Sequence, residues 1–370
     1  MKLTIERGML LKSLGHVQSV VERRNTIPIL SNVQLEADNG KIAMTATDLD
    51  LAIVEHAEAD IQASGATTVP AHTMFDIVRK LPDGAQVELS MGSDQRLTIT
   101  AGRSEFTLAC LPQEDFPVMS GGDMPHKFSL MSEELKRLID KSRFAISTEE
   151  TRYYLNGIYL HVADDGDSTL RAVATDGHRL AQVEIAMPEG AAGMPGVILP
   201  RKTVAELRKL LDEYEGEVEI SLSDTKVRFT FAGVVLTSKL IDGTFPDYKR
   251  VIPTANEKRL EVDCHVFAEA VDRVSTISTD RTRSVKMSLA TDKITLSVNS
   301  PENGTATEEL ACTYSEDEME IGFNARYLLD ILQQVEGDTV FCELADPASP
   351  TIVRDSGDES ALYVLMPMRV

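Results

Sequence analysis

What most restricts the fold of this chain is an internal repeat: one order of segments occurs three times, at a spacing of about 125 residues. Each copy opens with a short strand running into an amphipathic helix: LTIERGMLLKSLGHVQSVV from Leu3, KFSLMSEELKRLIDKSRFAI from Lys127 and RLEVDCHVFAEAVDRVSTI from Arg259. Apolar residues recur three and four positions apart in all three, as in a helix that buries one face. Alternating strands follow in IPILSNVQLEADNGKIAMTATD, RYYLNGIYLHVADDGDSTLRAVATD and RSVKMSLATDKITLSVNS, with Asn39-Gly40 and Asp165-Gly166 as hairpin turn signals in the first two. A strand, a Pro or Asn, and a second helix come next, in TVPAHTMFDIVRKLPDG, ILPRKTVAELRKLLDEY and IGFNARYLLDILQQVEGD. Pro70 and Pro200 stand where these helices start and a missing N–H costs little.

Three more strands close each copy. The pattern predicts an α+β chain of three tandem domains, each a β-α-β-β-β unit given twice, with two helices on one side of antiparallel strands. Gly-, Pro- and polar-rich stretches at 121–126 and 251–258 set the expected boundaries, giving domains 1–122, 123–252 and 253–370.

No stretch approaches the roughly 18 apolar residues of a membrane helix, and Glu6 and Arg7 interrupt any secretory core, so a soluble cytoplasmic chain with no membrane partner is expected. Cys110, Cys264, Cys312 and Cys342 stand singly, without CxxC or clustered histidines; neither a metal nor a cofactor is expected. The P-loop, GxGxxG, HExxH and GxSxG signatures are all missing.

One stretch, VATDGHRLA at 173–181, admits a catalytic reading in which Asp176 orients His178 as a general base. No nucleophile motif accompanies it. The alternative reading is a turn: TATD at 45–48 aligns with VATD at 173–176, so Asp176 ends a repeated strand and its side chain caps nearby backbone N–H groups. GHRL belongs to the middle copy alone. A formal charge of −22 and a pI of about 4.7 oppose long-range attraction to phosphate backbones.

Taken together, IPILSN (27–32), RYYLNG (152–157), ATDGHRLA (174–181), SKLIDGTFPDYKRV (238–251), EIGFN (320–324) and YVLMPMRV (363–370) make the chain resemble, over its full length, the bacterial DNA polymerase III beta subunit family, the sliding clamps. The resemblance implies three copies of the DNA-clamp fold in a head-to-tail homodimer. That dimer is a closed ring around duplex DNA, sequence-independent, conferring processivity in replication and having no catalysis of its own. Twelve helices with axes about 9 Å apart close a circle about 34 Å across; subtracting the inward halves of opposed helices leaves roughly 24 Å, enough for a duplex about 20 Å wide. Enclosure replaces tight phosphate contacts, which reconciles the acidic composition with DNA. A DNA-independent three-domain interaction scaffold is the alternative.

By resemblance, the DNA polymerase III catalytic subunit, clamp loader, translesion polymerases, mismatch repair proteins and ligase dock through short peptides in a groove between the second and third domains. Its expected residues are Arg152, Tyr154, Leu155, Thr175, Gly177, His178, Arg179, Leu180, Pro246, Arg250, Val251, Pro350, Val364, Met366, Pro367, Met368 and Arg369. Pro350 replaces a small hydroxyl residue common in relatives, and the methionines supply an apolar surface that repacks around different side chains.

Basic positions on helices, among them Arg79, Lys80, Lys136, Arg137, Lys141, Arg208 and Lys209, fit either the lining of a hole or an ordinary solvated face. The resemblance favours Arg24, Tyr153, Arg201, Lys202, Arg281, Arg283, Asn324 and Tyr327 as DNA-facing, while Glu149 and Glu150 would repel phosphate beside RYYLNG. Phe106 and Leu108 of one copy, against Val274 and Ile277 of the other, are the expected dimer contacts.

Overall fold

The computed structural model describes residues 1–92, 94–119, 121–163, 168–278 and 283–369. Arg281 and the Asp165-Gly166 turn signal lie outside the described residues. Among the described residues, all strands but one fall into six copies of a single β-α-β-β-β unit.

The first unit runs β1 (Lys2–Glu6), α1 (Arg7–Gln18), β2 (Asn32–Asp38), β3 (Lys41–Thr47) and β4 (Leu51–Glu58). An extra strand, β5 (Asp60–Ala63), precedes β6 (Gly65–Pro70), α2 (Ala71–Lys80), β7 (Gln86–Met91), β8 (Arg96–Ala101) and β9 (Ser104–Ala109). The third unit has β10 (His126–Met131), α3 (Ser132–Arg143), β11 (Gly157–Val162), β12 (Thr169–Thr175) and β13 (Arg179–Ala186). The fourth has β14 (Val197–Pro200), α4 (Arg201–Leu211), β15 (Glu217–Leu222), β16 (Lys226–Phe231) and β17 (Val234–Lys239). In the fifth come β18 (Lys258–Asp263), α5 (Cys264–Ser275), β19 (Ser284–Ala290), β20 (Lys293–Ser300) and β21 (Gly304–Ala311). The sixth ends the chain with β22 (Met319–Asn324), α6 (Ala325–Leu332), β23 (Thr339–Leu344), β24 (Thr351–Asp355) and β25 (Asp358–Leu365).

Local chemistry explains where these elements begin and turn. Glu6 caps α1 by accepting from the Met9 N–H, Asp263 caps α5 by accepting from Val266, and Asn324 caps α6 by accepting from Arg326 and Tyr327. Asn39 and Gly40 take φ values of 49° and 77°, the two positive angles a tight hairpin between β2 and β3 requires. On α1 the buried stripe is Leu10, Leu14 and Val17, all 0% exposed. Each such side chain contributes about 1.5–3 kcal/mol by leaving water.

The described residues divide into two compact bodies: 1–133 with 188–192 and 202–240, and 134–187 with 193–201 and 241–370. In the first body one sheet has the order β5-β1-β7-β8-β9 and the other β10-β15-β16-β17-β4-β3-β2-β6. In the second body the orders are β14-β11-β12-β13-β25-β24-β23-β18 and β21-β20-β19-β22. Each eight-stranded sheet is therefore two four-stranded halves from neighbouring domains.

The halves meet through the last strand of a unit. Val234–Ser238 of β17 pair antiparallel with Leu51–Glu55 of β4, and Arg179–Val183 of β13 pair antiparallel with Ala361–Leu365 of β25. The expectation of both helices on one side of the strands needs correcting. In the first domain α1 packs on α2, on β1 of one sheet and on β3 and β4 of the other; in the third, α5 packs on α6, on β18 and on β19 to β21. α1 and α5 each pack against strands of two sheets.

Candidate functional site

The turn between β12 and β13 builds one wall of an apolar groove. Asp176 Oδ1 accepts from the backbone N–H groups of His178 (2.9 Å) and Arg179 (3.0 Å), and Thr175 Oγ1 donates to the Arg179 carbonyl (2.7 Å) while accepting from the Gly177 N–H (3.1 Å). Gly177 has φ +88°, which favours glycine, and a Cβ there would stand 2.6 Å from Arg152 Nη1 and push that side chain aside. Asp176 makes no contact with the His178 ring. Its second oxygen accepts from Arg179 Nε at 3.2 Å, and the ring of His178 stacks on Tyr327 at 6.1 Å between centroids. The strand-end turn is what the sequence predicts; the carboxylate–imidazole pair of the catalytic reading is not formed.

The groove has a volume of about 210 Å³ and is lined by Leu155, Thr175, Gly177, Arg179, Leu180, Pro246, Asp247, Tyr248, Val251, Val364 and Met366. Leu155, Leu180, Tyr248 and Val364 form a buried floor, backed by Val173, Ile198, Phe245, Ile352 and Leu362. Val251 (49% exposed) and Met366 (39%) stand at the rim. The Met366 N–H donates to the His178 carbonyl at 2.9 Å, tying the chain's last segment to the turn.

Nine of the expected groove residues thus line one cavity. Asp247 and Tyr248 line it too and were not expected. Tyr248 stands in a Pro- and Asp-rich connector that reads as linker, yet its hydroxyl meets His161 Nε2 at 3.0 Å and its ring is buried.

The remaining expected residues stand around the cavity rather than in its lining. Arg152 donates to Glu149 at 2.6 and 2.7 Å and to the Asp176 carbonyl at 3.3 Å. That hydrogen bond from Arg152 holds the Glu149 carboxyl below its ordinary range, so one of the two carboxylates beside this loop is already paired. Tyr154 packs against the floor, Arg250 pairs with Asp247 at 2.8 Å, and the Pro350 carbonyl accepts from Asn256 at 2.9 Å. Met368 donates its N–H to the Gly322 carbonyl at 2.7 Å, Pro367 is half-buried and Arg369 exposed.

Arg179 is 9% exposed and joins the groove to neighbouring elements. Its guanidinium pairs with Asp176 and Asp330, donates to the Phe144 carbonyl at 2.7 Å, and lies 4.3 Å over the Tyr327 ring.

The residues expected to face DNA divide between the bodies. In the first, Arg24 is exposed in the loop after α1, and Lys202 is paired with Asp48 and Glu22 and donates to the Val20 carbonyl. Burial alone would lower the Lys202 pKa, but Asp48 and Glu22 raise it overall. In the second body Tyr153, Arg201 and Arg283 are exposed, Asn324 is the α6 cap, and Tyr327 lies under Arg179. Of the expected dimer contacts, Phe106 (37% exposed) and Leu108 project from β9, Ile277 is half-buried just past α5, and Val274 is enclosed in its own domain at 2% exposed. Among the described residues no group of three or more His, Cys, Asp or Glu could hold a metal ion, and no helix is long and apolar enough to cross a membrane.

Comparison with known proteins matches three family descriptions in chain order. They are the N-terminal (residues 1–120), central (129–247) and C-terminal (249–369) domains of the DNA polymerase III beta subunit. A beta sliding clamp of Caulobacter vibrioides is 57% identical over 372 residues, covering all of both chains. Among solved structures, a sliding clamp (DNA polymerase III subunit beta) from Bartonella birtlesii bound to griselimycin has a TM-score of 0.98 at 52% identity, again covering all of both chains. The Caulobacter crescentus pol III beta structure has a TM-score of 0.96 at 57% identity over all of both chains.

Proposed function

The chain belongs to the DNA polymerase III beta subunit family, a family of three tandem clamp domains, and from that premise we propose that two copies close head to tail into a ring around duplex DNA. The observation that carries this reading is the pairing of unit ends. Six units have six last strands; β4 pairs with β17 and β13 with β25, which leaves β9 and β21 at open sheet edges among the described residues. An unpaired edge is a template for another strand. Antiparallel pairing of β9 with β21 of a second copy would repeat the two internal seams. In a dimer both open ends are used, so assembly stops at two copies.

Phe106 and Leu108 on β9 support this seam, with Ile277 beside β21. Domain boundaries near 122 and 252 follow from the same repeat. The ring holds DNA without sequence preference through Arg24, Tyr153, Arg201, Lys202, Arg283, Asn324 and Tyr327, and Arg281 belongs to the same proposal. It works in the cytoplasm and has no catalysis of its own.

The groove beside Gly177 takes short peptides from the DNA polymerase III catalytic subunit, clamp loader, translesion polymerases, mismatch repair proteins and ligase. Its apolar floor accepts leucine- or phenylalanine-like side chains, and Arg152, Arg179 and backbone groups meet the peptide's polar atoms. Because all partners use one groove, they compete for each copy.

The test is retention on DNA. After loading onto nicked circular plasmid by a clamp loader, the chain should stay bound through a wash of about 0.5 M salt, at which contacts between separated charges are screened, and should run off once the plasmid is cut. Equal retention on circle and line overturns the ring. Peptide binding with no DNA retention at all favours the interaction scaffold.

A further inference from the structure

We propose that the chain carries a second docking groove, at the β3–β4 turn of the first body, for an acidic peptide segment bearing an apolar side chain. The β3–β4 turn repeats the β12–β13 turn bond for bond. Thr47 Oγ1 donates to the Leu51 carbonyl at 2.8 Å and accepts from the Leu49 N–H at 3.0 Å, while Asp48 Oδ1 accepts from the N–H groups of Asp50 (2.9 Å) and Leu51 (2.7 Å). The strand that follows, β4, is a seam strand like β13. In each case an interdomain connector closes the space beside the turn: Pro246 to Val251 at the first groove, Pro117 to Met119 here. The result is a cleft of about 180 Å³ lined by Leu49, Pro117, Val118, Met119, Lys226 and Lys239.

Two differences from the first groove say what the cleft holds. Where the first turn has Gly177, this one has Leu49 at φ +80°, a left-handed conformation costly to any residue with a Cβ. Leu49 is 41% exposed, so much of an apolar residue held at that angle stays in water, and Val118 beside it is 86% exposed. Strain held in place to present an apolar side chain to water is a mark of a contact surface. The second difference is charge: Lys226 and Lys239 flank the cleft on a chain whose net charge is −22. Lys239 pairs with Asp50 at 2.9 Å, both at least half exposed, a weak contact that a competing carboxylate can replace. An apolar cleft between two ammonium groups is complementary to a Leu or Phe side chain next to Asp or Glu.

The inference rests on reading the first groove as a peptide site, and one experiment separates the two. The full chain, with ¹³C-methyl methionine, is titrated with the decapeptide Gly-Ser-Glu-Leu-Asp-Phe-Glu-Gly-Ser-Gly. The same peptide with Gln for Glu and Ser for Asp is titrated in parallel. The acidic peptide should shift the Met119 methyl saturably, and the neutral one at least tenfold more weakly. Leu49→Gly and the double variant Lys226→Glu with Lys239→Glu should each weaken the acidic peptide at least tenfold. Leu49→Gly relaxes the backbone, so its melting temperature should hold or rise. A Met119 methyl that stays still, one that responds equally in Leu49→Gly, or one that shifts with chain concentration alone, as a second copy docking there would cause, overturns the second groove. A Met366 methyl unmoved by the neutral peptide overturns the reading of the first groove, whatever Met119 does.

Discussion

Arg179 touches the turn, α6 and the end of α3 with one guanidinium, and its planar fork is what lets a single side chain serve all three. Arg179→Ala leaves Asp330 and the Phe144 carbonyl unpaired and should destabilise the chain by about 3 kcal/mol, the lower end for breaking a buried pair because Asp330 is partly solvated. Lysine restores the charge without the fork and should recover less than half of it in urea unfolding. Asp355 permits a pH prediction. Burial would raise its pKa, but the N–H groups of Gly357, Glu336 and Gly337, at 2.8, 2.8 and 3.1 Å, lower it overall. A depressed carboxyl stabilises the fold above its ordinary pKa of about 3.9 and loses that contribution as pH falls through the folded value. Asp355→Asn should therefore be less stable than the parent at pH 7, with the gap closing as urea unfolding is repeated toward pH 2. At this scale the sequence was legible where chemistry is local: the turn around Asp176 could be read because Asp caps N–H groups two and three residues ahead. The Tyr248–His161 contact and the bonds of Arg179 to Phe144 and Asp330 could not, since they join residues 35 to 151 positions apart.

Strands carry the next lesson. Alternation told which residues were strand and which face turned inward, so the duplicated β-α-β-β-β unit was readable before any coordinates. It said nothing about neighbours. β13 pairs with β12 on one edge and with β25 on the other, and the second partner depends on edges brought together by the whole fold, which no period in the sequence encodes. Among the described residues β9 ends its sheet, with β8 as its one strand neighbour there. Phe106→Asp with Leu108→Asp puts two desolvation costs on β9, and light scattering at micromolar concentration should report one copy instead of two. The groove beside Gly177 should still bind peptide, since all its lining belongs to the second body.

Across the molecule, the repeat and the sheets have different boundaries. Each domain repeats one pattern, a β-α-β-β-β unit given twice, yet the strands of the central domain are distributed between two eight-stranded sheets, one completed by β2 to β4 with β6 and the other by β23 to β25 with β18. A fragment ending at residue 252 retains two whole repeats but strips β25 from β13, leaving a long apolar seam bare. Such a fragment should self-associate, seen as a broad high-mass peak in size exclusion, where a chain of independent domains would stay monomeric. The unit that repeats along this chain is therefore not the unit that packs. A duplicated segment that lends half its strands to each neighbour cannot later be lost or exchanged as a module, which binds the three copies to a common evolutionary fate.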